Sequence, residues 1–282
     1  MAEEKTANTD LDLPFRGTEG FLYTLHLADN ALILAQRNSE WTGHGPVLEQ
    51  DIAITNIALD LLGQARNFYQ HAATIYNESS TEEKVALEKY IPRLWKTYHR
   101  ELQEDDLAFL RDEHQYLNVL LAELPRGDWS FTVLRQFFFS AYQHFLYREL
   151  KQKEDAQLAA IAEKSSKEVA YHLRWSSEWV IRLGDGTEES NRRIREALSD
   201  LWMFTGELFL PAGYEQNNAT LIDSLKEPWM QKVQAVFEEA GLEVPKQTWS
   251  QSGGKEGRHT EHLGYLLAEM QYLQRTYPNA TW

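Results

Sequence analysis

The sequence predicts an all-α protein, a four-helix bundle with additional helices. Apolar residues recur with helical period almost throughout. Four segments are long and strongly apolar, joined by connections of unequal length. No stretch alternates long enough to build a sheet, and no internal repeat of about 20–50 residues is present.

The first helix is expected at about 18–37, with Phe21, Leu25, Leu32 and Ala35 on one side; WTGHGP then breaks it. The second, at 47–76, has no Pro and only Gly63 to weaken it. Its apolar residues occupy nearly every side, which predicts a helix buried all round. Ser80 followed by Glu83 predicts a capping box opening a charged segment, with shorter helices at about 83–98 and 103–122. LPRGDWS separates these from an aromatic helix at 131–152 that carries FFFSAYQHFLY. The next helix, at 155–183, ends at LGDGT with Gly184 as its C-cap. Further helices are expected at 188–209 before Pro211, at 228–240 before Gly241, and at 259–275 after SQSGGKEG. The bundle four are then 18–37, 47–76, 131–152 and 155–183. Residues 1–17 are expected to be a mobile N-terminal segment and 18–282 a single domain, because no linker composition divides them.

Composition narrows the function classes. The 282 residues carry a formal charge of −15, which argues against nucleic acid as a partner because phosphate binding needs a basic face. Nine Trp and thirteen Tyr fit a broad aromatic interior or interface. The absence of Cys removes disulfides, thiolate nucleophiles, zinc–thiolate sites and iron–sulfur clusters. MAEEKTANTDLDLP is unlike a secretory or transit peptide, and no run of about 18 apolar residues suggests a membrane span. The expectation is a soluble cytoplasmic protein.

The polar residues inside the long helices carry the chemistry. A ferritin-like di-iron site takes a Glu from each of two helices and Glu-x-x-His from each of the other two. Here Asp29 lies on the first helix and Asp60 on the second, where the residue three on is Gly63 and the residue four on is Gln64. In KEVAYHLRWS, three residues after Glu168 is Tyr171, while His172 is four on. Gln143 and His144 occupy the aromatic helix. The one Glu-x-x-His, Glu256 to His259, straddles the glycine-rich loop. A spacing of four still places two residues on one helix face, so metal binding is not forbidden. Yet an acid followed by a hydrogen-bond donor four residues on occurs in both helices, which suits a metal-free polar cluster. Glu168 and His172 could also form an exposed helical pair. SGGKEGRH, with Lys255 and Arg258 before a helix, lacks the strand and spacing of a phosphate loop. No nucleophile elbow or dinucleotide glycine pattern is present.

Three stretches carry a specific resemblance: EWTGHGPVLEQDIAITNIALDLLGQARNFY (40–69), KEVAYHLRWSSEWVIRLGDGTEES (167–190) and GGKEGRHTEHLGYLLAEMQYLQR (253–275). They resemble the structural C subunits of bacterial phenylacetyl-CoA 1,2-epoxidases, in the PaaA/PaaC family of ferritin-like proteins, from about Gly20 to Trp282. The charged segment around 79–103 departs from the family in length. The resemblance implies a ferritin-like fold and a place in a multicomponent monooxygenase of phenylacetate catabolism, which uses dioxygen and NADPH. It implies that the di-iron centre lies in a partner catalytic subunit, with small bridging and reductase subunits completing the complex. This chain is then expected to hold no cofactor and to serve as a structural support. Asp29, Asp60, Gln64, Glu168 and His172 are expected to meet as a vestigial polar centre. The first two helices and the segment from Gly253 to Leu263, with Lys255, Arg258 and His259, are expected to contact the partner or CoA. The alternative is a carboxylate-bridged oxygenase in its own right, with Asp29, Asp60, Glu168 and His172 as its ligands.

Overall fold

The computed structural model describes residues 17–280. The expected mobile segment lies outside the described residues except for Gly17, which opens the first helix. In chain order the helices are α1 (Gly17–Ser39), α2 (Leu48–Glu78), α3 (Thr81–Ala86), α4 (Glu104–Phe109) and α5 (Leu120–Glu123). They continue with α6 (Trp129–Leu150), α7 (Ala156–Gly184), α8 (Glu188–Leu201), α9 (Ala219–Ser224), α10 (Lys226–Ala240), α11 (Glu261–Met270) and α12 (Tyr272–Thr276). Short 3-10 turns link several of them, and no strand occurs among the described residues. The protein is all-α. Two hairpins, α1–α2 and α6–α7, form the bundle, and α2 packs on α7 to join them.

Local chemistry explains the starts and stops. Asp128 accepts from Phe131 N–H and Asp155 from Leu158 N–H, so α6 and α7 each begin on a side-chain cap. The Ser80–Glu83 box forms reciprocally at 2.8 and 3.3 Å. Gly241 adopts φ +63° and closes α10, a conformation that costs Gly nothing. Gly184 differs from its expected role. It is the last residue of α7, and a Cβ there would overlap the backbone and side chain of Ala240, so it serves the close packing of α7 on α10.

The core is aromatic where α6 meets α8 and α10. Phe138 touches Trp202, Trp229 and Phe237, with ring centroids 5.7 to 6.1 Å apart. The Trp229 indole N–H donates to the Phe138 carbonyl at 2.9 Å, so the ring is buried without an unpaired donor. Burying each such side chain stabilises the fold by roughly 2–3 kcal/mol.

Two expectations are corrected. The helix buried all round is α1, not α2: from Tyr23 through Ala35 every residue of α1 is buried, polar ones included. By contrast α2 exposes Leu48, Ile52 and Leu59 along one face. The second correction concerns 83–98 and 103–122, which form short helices, 3-10 turns and extended chain. Tertiary hydrogen bonds replace helical ones there. Asn77 binds both the N–H and the carbonyl of Leu102, and Gln115 donates to the carbonyls of Lys89 and Ile91. Pro92 also prevents a continuous helix across the first of these stretches.

Candidate functional site

Two groups of polar residues sit within the bundle. The first bridges α2 and α7. His172 Nε2 donates to Asp60 Oδ2 at 2.9 Å, and Gln64 Nε2 donates to Glu168 Oε2 at 2.9 Å. One turn forward on α2 thus meets one turn back on α7, the register of antiparallel helices. Tyr147, on α6, donates to Gln64 Oε1 at 3.2 Å, and Gln143 donates to Tyr147 at 3.1 Å. Gln64 and His172 are buried, whereas Glu168 is half-buried and the Asp60 side chain is 35% exposed. The ladder therefore lies at the edge of the α2–α7 seam, with its acids toward water. His172 Nδ1 is buried without a hydrogen-bond partner among the described residues.

Asp29 does not join this ladder. It is fully buried on α1, where Arg111 grips both carboxylate oxygens. Tyr69 donates to it at 2.5 Å and Leu117 N–H at 2.8 Å. Burial penalises the Arg111 guanidinium, but the adjacent Asp29 charge outweighs this and raises its pKa. Neighbouring α1 residues serve the same extended segment. Asn30 accepts from Val119 N–H at 2.8 Å, and His26 Nδ1 donates to the Leu117 carbonyl at 2.6 Å. His26 Nε2 accepts from Asn30, which makes the ring neutral, in keeping with a pKa lowered by burial. Residues 116–119 are thus held extended by α1 side chains.

The glycine-rich segment fastens that extended chain from its other side. Glu207 accepts from the N–H groups of Gly253, Gly254 and Leu120 at 2.7 to 2.8 Å. Burial outweighs these three amides and pushes its carboxyl above the usual range. A Cβ at Gly254 would overlap the Asn118 carbonyl, and one at Gly257, where φ is +78°, would overlap that of His114. These glycines permit backbone to lie against backbone, so the loop is packed rather than flexible or phosphate-binding.

This placement corrects the expected contact residues. Lys255 is buried, not displayed: its Nζ donates to Glu215 at 3.0 Å and to the Leu210 carbonyl at 3.1 Å. Burial opposes the charge on Glu215, but Lys255 outweighs it and holds the carboxyl below its usual range. His259 also points inward, its side chain wholly buried. Nδ1 lies 2.7 Å from Glu123 Oε2 and Nε2 lies 2.9 Å from the Tyr116 carbonyl. Both partners are acceptors, so both nitrogens carry protons. Burial works against that charge, yet the bond to Glu123 and its negative charge raise the His259 pKa. Only Arg258 of the three is exposed, and it pairs with Glu256 at 2.5 Å.

Arg111, Glu123, Glu207 and Glu215 escaped the reading of the sequence. Only Glu123 left a signal: with Asn118 it interrupts an apolar run from Tyr116 to Leu124, and such a run implies burial with partners. The same pairings bear on the di-iron centre of the fold family. Each acid is already bonded to an Arg, His, Lys, Gln or backbone amide, and no group of three or more His, Asp or Glu among the described residues could hold a metal ion. The donor set does not fit such a centre.

A family model described as phenylacetic acid catabolic protein (PaaA/PaaC) matches residues 14–282. The C subunit of the 1,2-phenylacetyl-CoA epoxidase of Escherichia coli (strain K12) is 44% identical over 265 residues, covering 92% of this chain and 98% of the relative. No described helix is long and apolar enough to cross a membrane. With a match that spans the bundle, the ladder and the glycine-rich segment alike, the chain belongs to the phenylacetic acid catabolic protein family.

Proposed function

We propose that this chain is a non-catalytic structural subunit of a multicomponent phenylacetyl-CoA 1,2-epoxidase. In this reading it holds no iron and binds and supports a separate di-iron catalytic subunit, with small bridging and reductase subunits as further partners. The near full-length match to the C subunit of an epoxidase supports the complex. The observation that carries the non-catalytic role is the one-to-one pairing of Asp60 with His172, Glu168 with Gln64 and Asp29 with Arg111. An oxygenase using Asp29, Asp60, Glu168 and His172 would need all four at one point, and Asp29 is held in a separate network by a guanidinium.

The exposed stripe on α2 supplies a surface for the catalytic subunit. Leu48, Ile52 and Leu59 are 72, 51 and 59% exposed and share one helix face. Apolar side chains grouped in this way favour helix-to-helix association. The stripe also accounts for the excess of apolar residues that made α2 read as fully buried.

Two experiments test the two parts. After anaerobic ferrous loading, elemental analysis should find far less than one iron per chain; two tightly held irons would overturn the non-catalytic role. Ile52→Glu with Leu59→Glu should abolish co-purification with the catalytic subunit while changing stability by less than about 0.5 kcal/mol, since both side chains are exposed. Undiminished complex would remove α2 from the interface.

A further inference from the structure

The 31 residues of α2 include one glycine, Gly63, at the middle of the helix. Nothing among the described residues asks for it. Its φ is not positive, and a Cβ built there would meet no atom within 4 Å. By contrast, a Cβ at Gly184 in α7 would overlap Ala240, and one at Gly264 in α11 would lie 2.9 Å from the Glu113 carboxylate. Apart from Pro, Gly is the weakest helix former, so at this open position Ala would serve α2 better.

Gly63 is exposed and continues the apolar stripe of α2. At 3.6 residues per turn, Leu48, Ile52, Leu59 and Gly63 lie within about 60° of one another around the helix axis. The next turns of the same face are polar. Arg66 pairs with Glu104 at 3.5 Å, and Gln70 donates to the same carboxylate at 2.9 Å. The apolar part therefore runs from Leu48 to Gly63, about 22 Å of helix. It ends in a notch where the backbone of α2 is bare.

We propose that an α-helix of the catalytic subunit lies along this stripe and makes its closest approach at Gly63, backbone against backbone. The inference rests on the subunit reading and specifies the element that the α2 face receives. The stripe follows one helix for about four turns, a length that a second helix matches throughout and a loop does not. Side chains at a helix–helix contact set the interaxial distance between about 8 and 10 Å, and Gly allows the shorter value. A methyl group at Gly63 is then harmless in the free chain and intrudes only in the complex.

The test measures two quantities for each variant: the thermal midpoint of the full chain alone, and its Kd for the catalytic subunit by titration calorimetry. Gly63→Ala should raise the midpoint by about 1–3 °C, because Ala is the better helix former. It should nevertheless weaken the complex at least about fivefold, through overpacking at the contact. Gly63→Leu should weaken it at least about a hundredfold, with circular dichroism of the free chain unchanged. A stabilised chain that binds worse separates a contact role from a structural one, since a structural glycine would lose stability on substitution. Wild-type affinity in either folded variant overturns the proposal and leaves the subunit reading intact. A wild-type chain that does not bind the catalytic subunit overturns both. Self-association of the lone chain that Gly63→Leu abolishes would assign this face to a second copy and also overturn the proposal.

Discussion

Carboxylates on the α2–α7 ladder meet an amide and an imidazole and keep part of their surface in water, whereas those along α1 and the glycine-rich segment are wholly buried against cations or backbone amides. Asp60 and Glu168 represent the first kind. Asp29, Glu123 and Glu215 represent the second, paired with Arg111, His259 and Lys255. Burial explains the difference. A half-exposed acid is satisfied by one protein donor and solvent, but a fully buried one loses its hydration and needs an opposite charge with further bonds. The difference also separates the two networks by task. The buried pairs hold non-helical chain against the bundle, while the ladder only joins two helices that already pack.

The sharpest way to break this contrast is at Asp29. Asp29→Ala leaves Arg111 charged, buried and unpaired, and removes the acceptor of Tyr69 and Leu117 N–H. Chemical denaturation should show a loss of about 3–5 kcal/mol. Replacing both partners, Asp29→Leu with Arg111→Met, should recover much of it, because no lone charge then remains. A loss for the single variant no larger than that for a surface residue would contradict the description of this pair.

The His259–Glu123 pair predicts a pH dependence of the glycine-rich segment. The folded-state pKa of His259 is raised, so its stabilising effect is complete below the unfolded value of about 6.5. It is lost as pH rises through the higher folded value. The titratable groups facing the ring are Glu123 and, beyond it, the Asp29 charge. Denaturation midpoints measured from about pH 6 to pH 9 should fall, and the His259→Gln variant should lack this component. A variant with the same slope as the wild type would assign the titration to another group.

The smallest effect is expected at the ladder. Glu168→Ala removes one charge-assisted bond at a half-exposed position and should cost about 1 kcal/mol by the same denaturation measurement, well below the effect at Asp29. A cost of about 3 kcal/mol or more would mean that Glu168 behaves as a buried charge, which would erase the distinction between the two networks.

Much of this organisation is legible in the residues. The bundle helices α1, α2, α6 and α7 lie within a few residues of their expected limits, since 3.6-residue periodicity and capping side chains act locally. The ladder was half legible. Acid and donor four residues apart on two helices pointed to Asp60, Gln64, Glu168 and His172, but Glu168 and His172 bond across to α2 and not to each other. Spacing within one helix reveals a shared face; the partner on the facing helix follows only from the antiparallel register.

The sequence by itself determined the helical class, the boundaries of the long helices and the Ser80–Glu83 cap, because each depends on interactions within a turn or two of chain. Tertiary structure alone decided which charges are buried. Asp29 finds Arg111 across 82 positions, His259 finds Glu123 across 136, and Lys255 finds Glu215 across 40. It also decided that Leu48, Ile52 and Leu59 face outward while α1, its polar residues included, is enclosed. Hydrophobicity states what burial is worth to a residue, but only the packing of distant segments supplies the cation, amide or empty surface that residue meets.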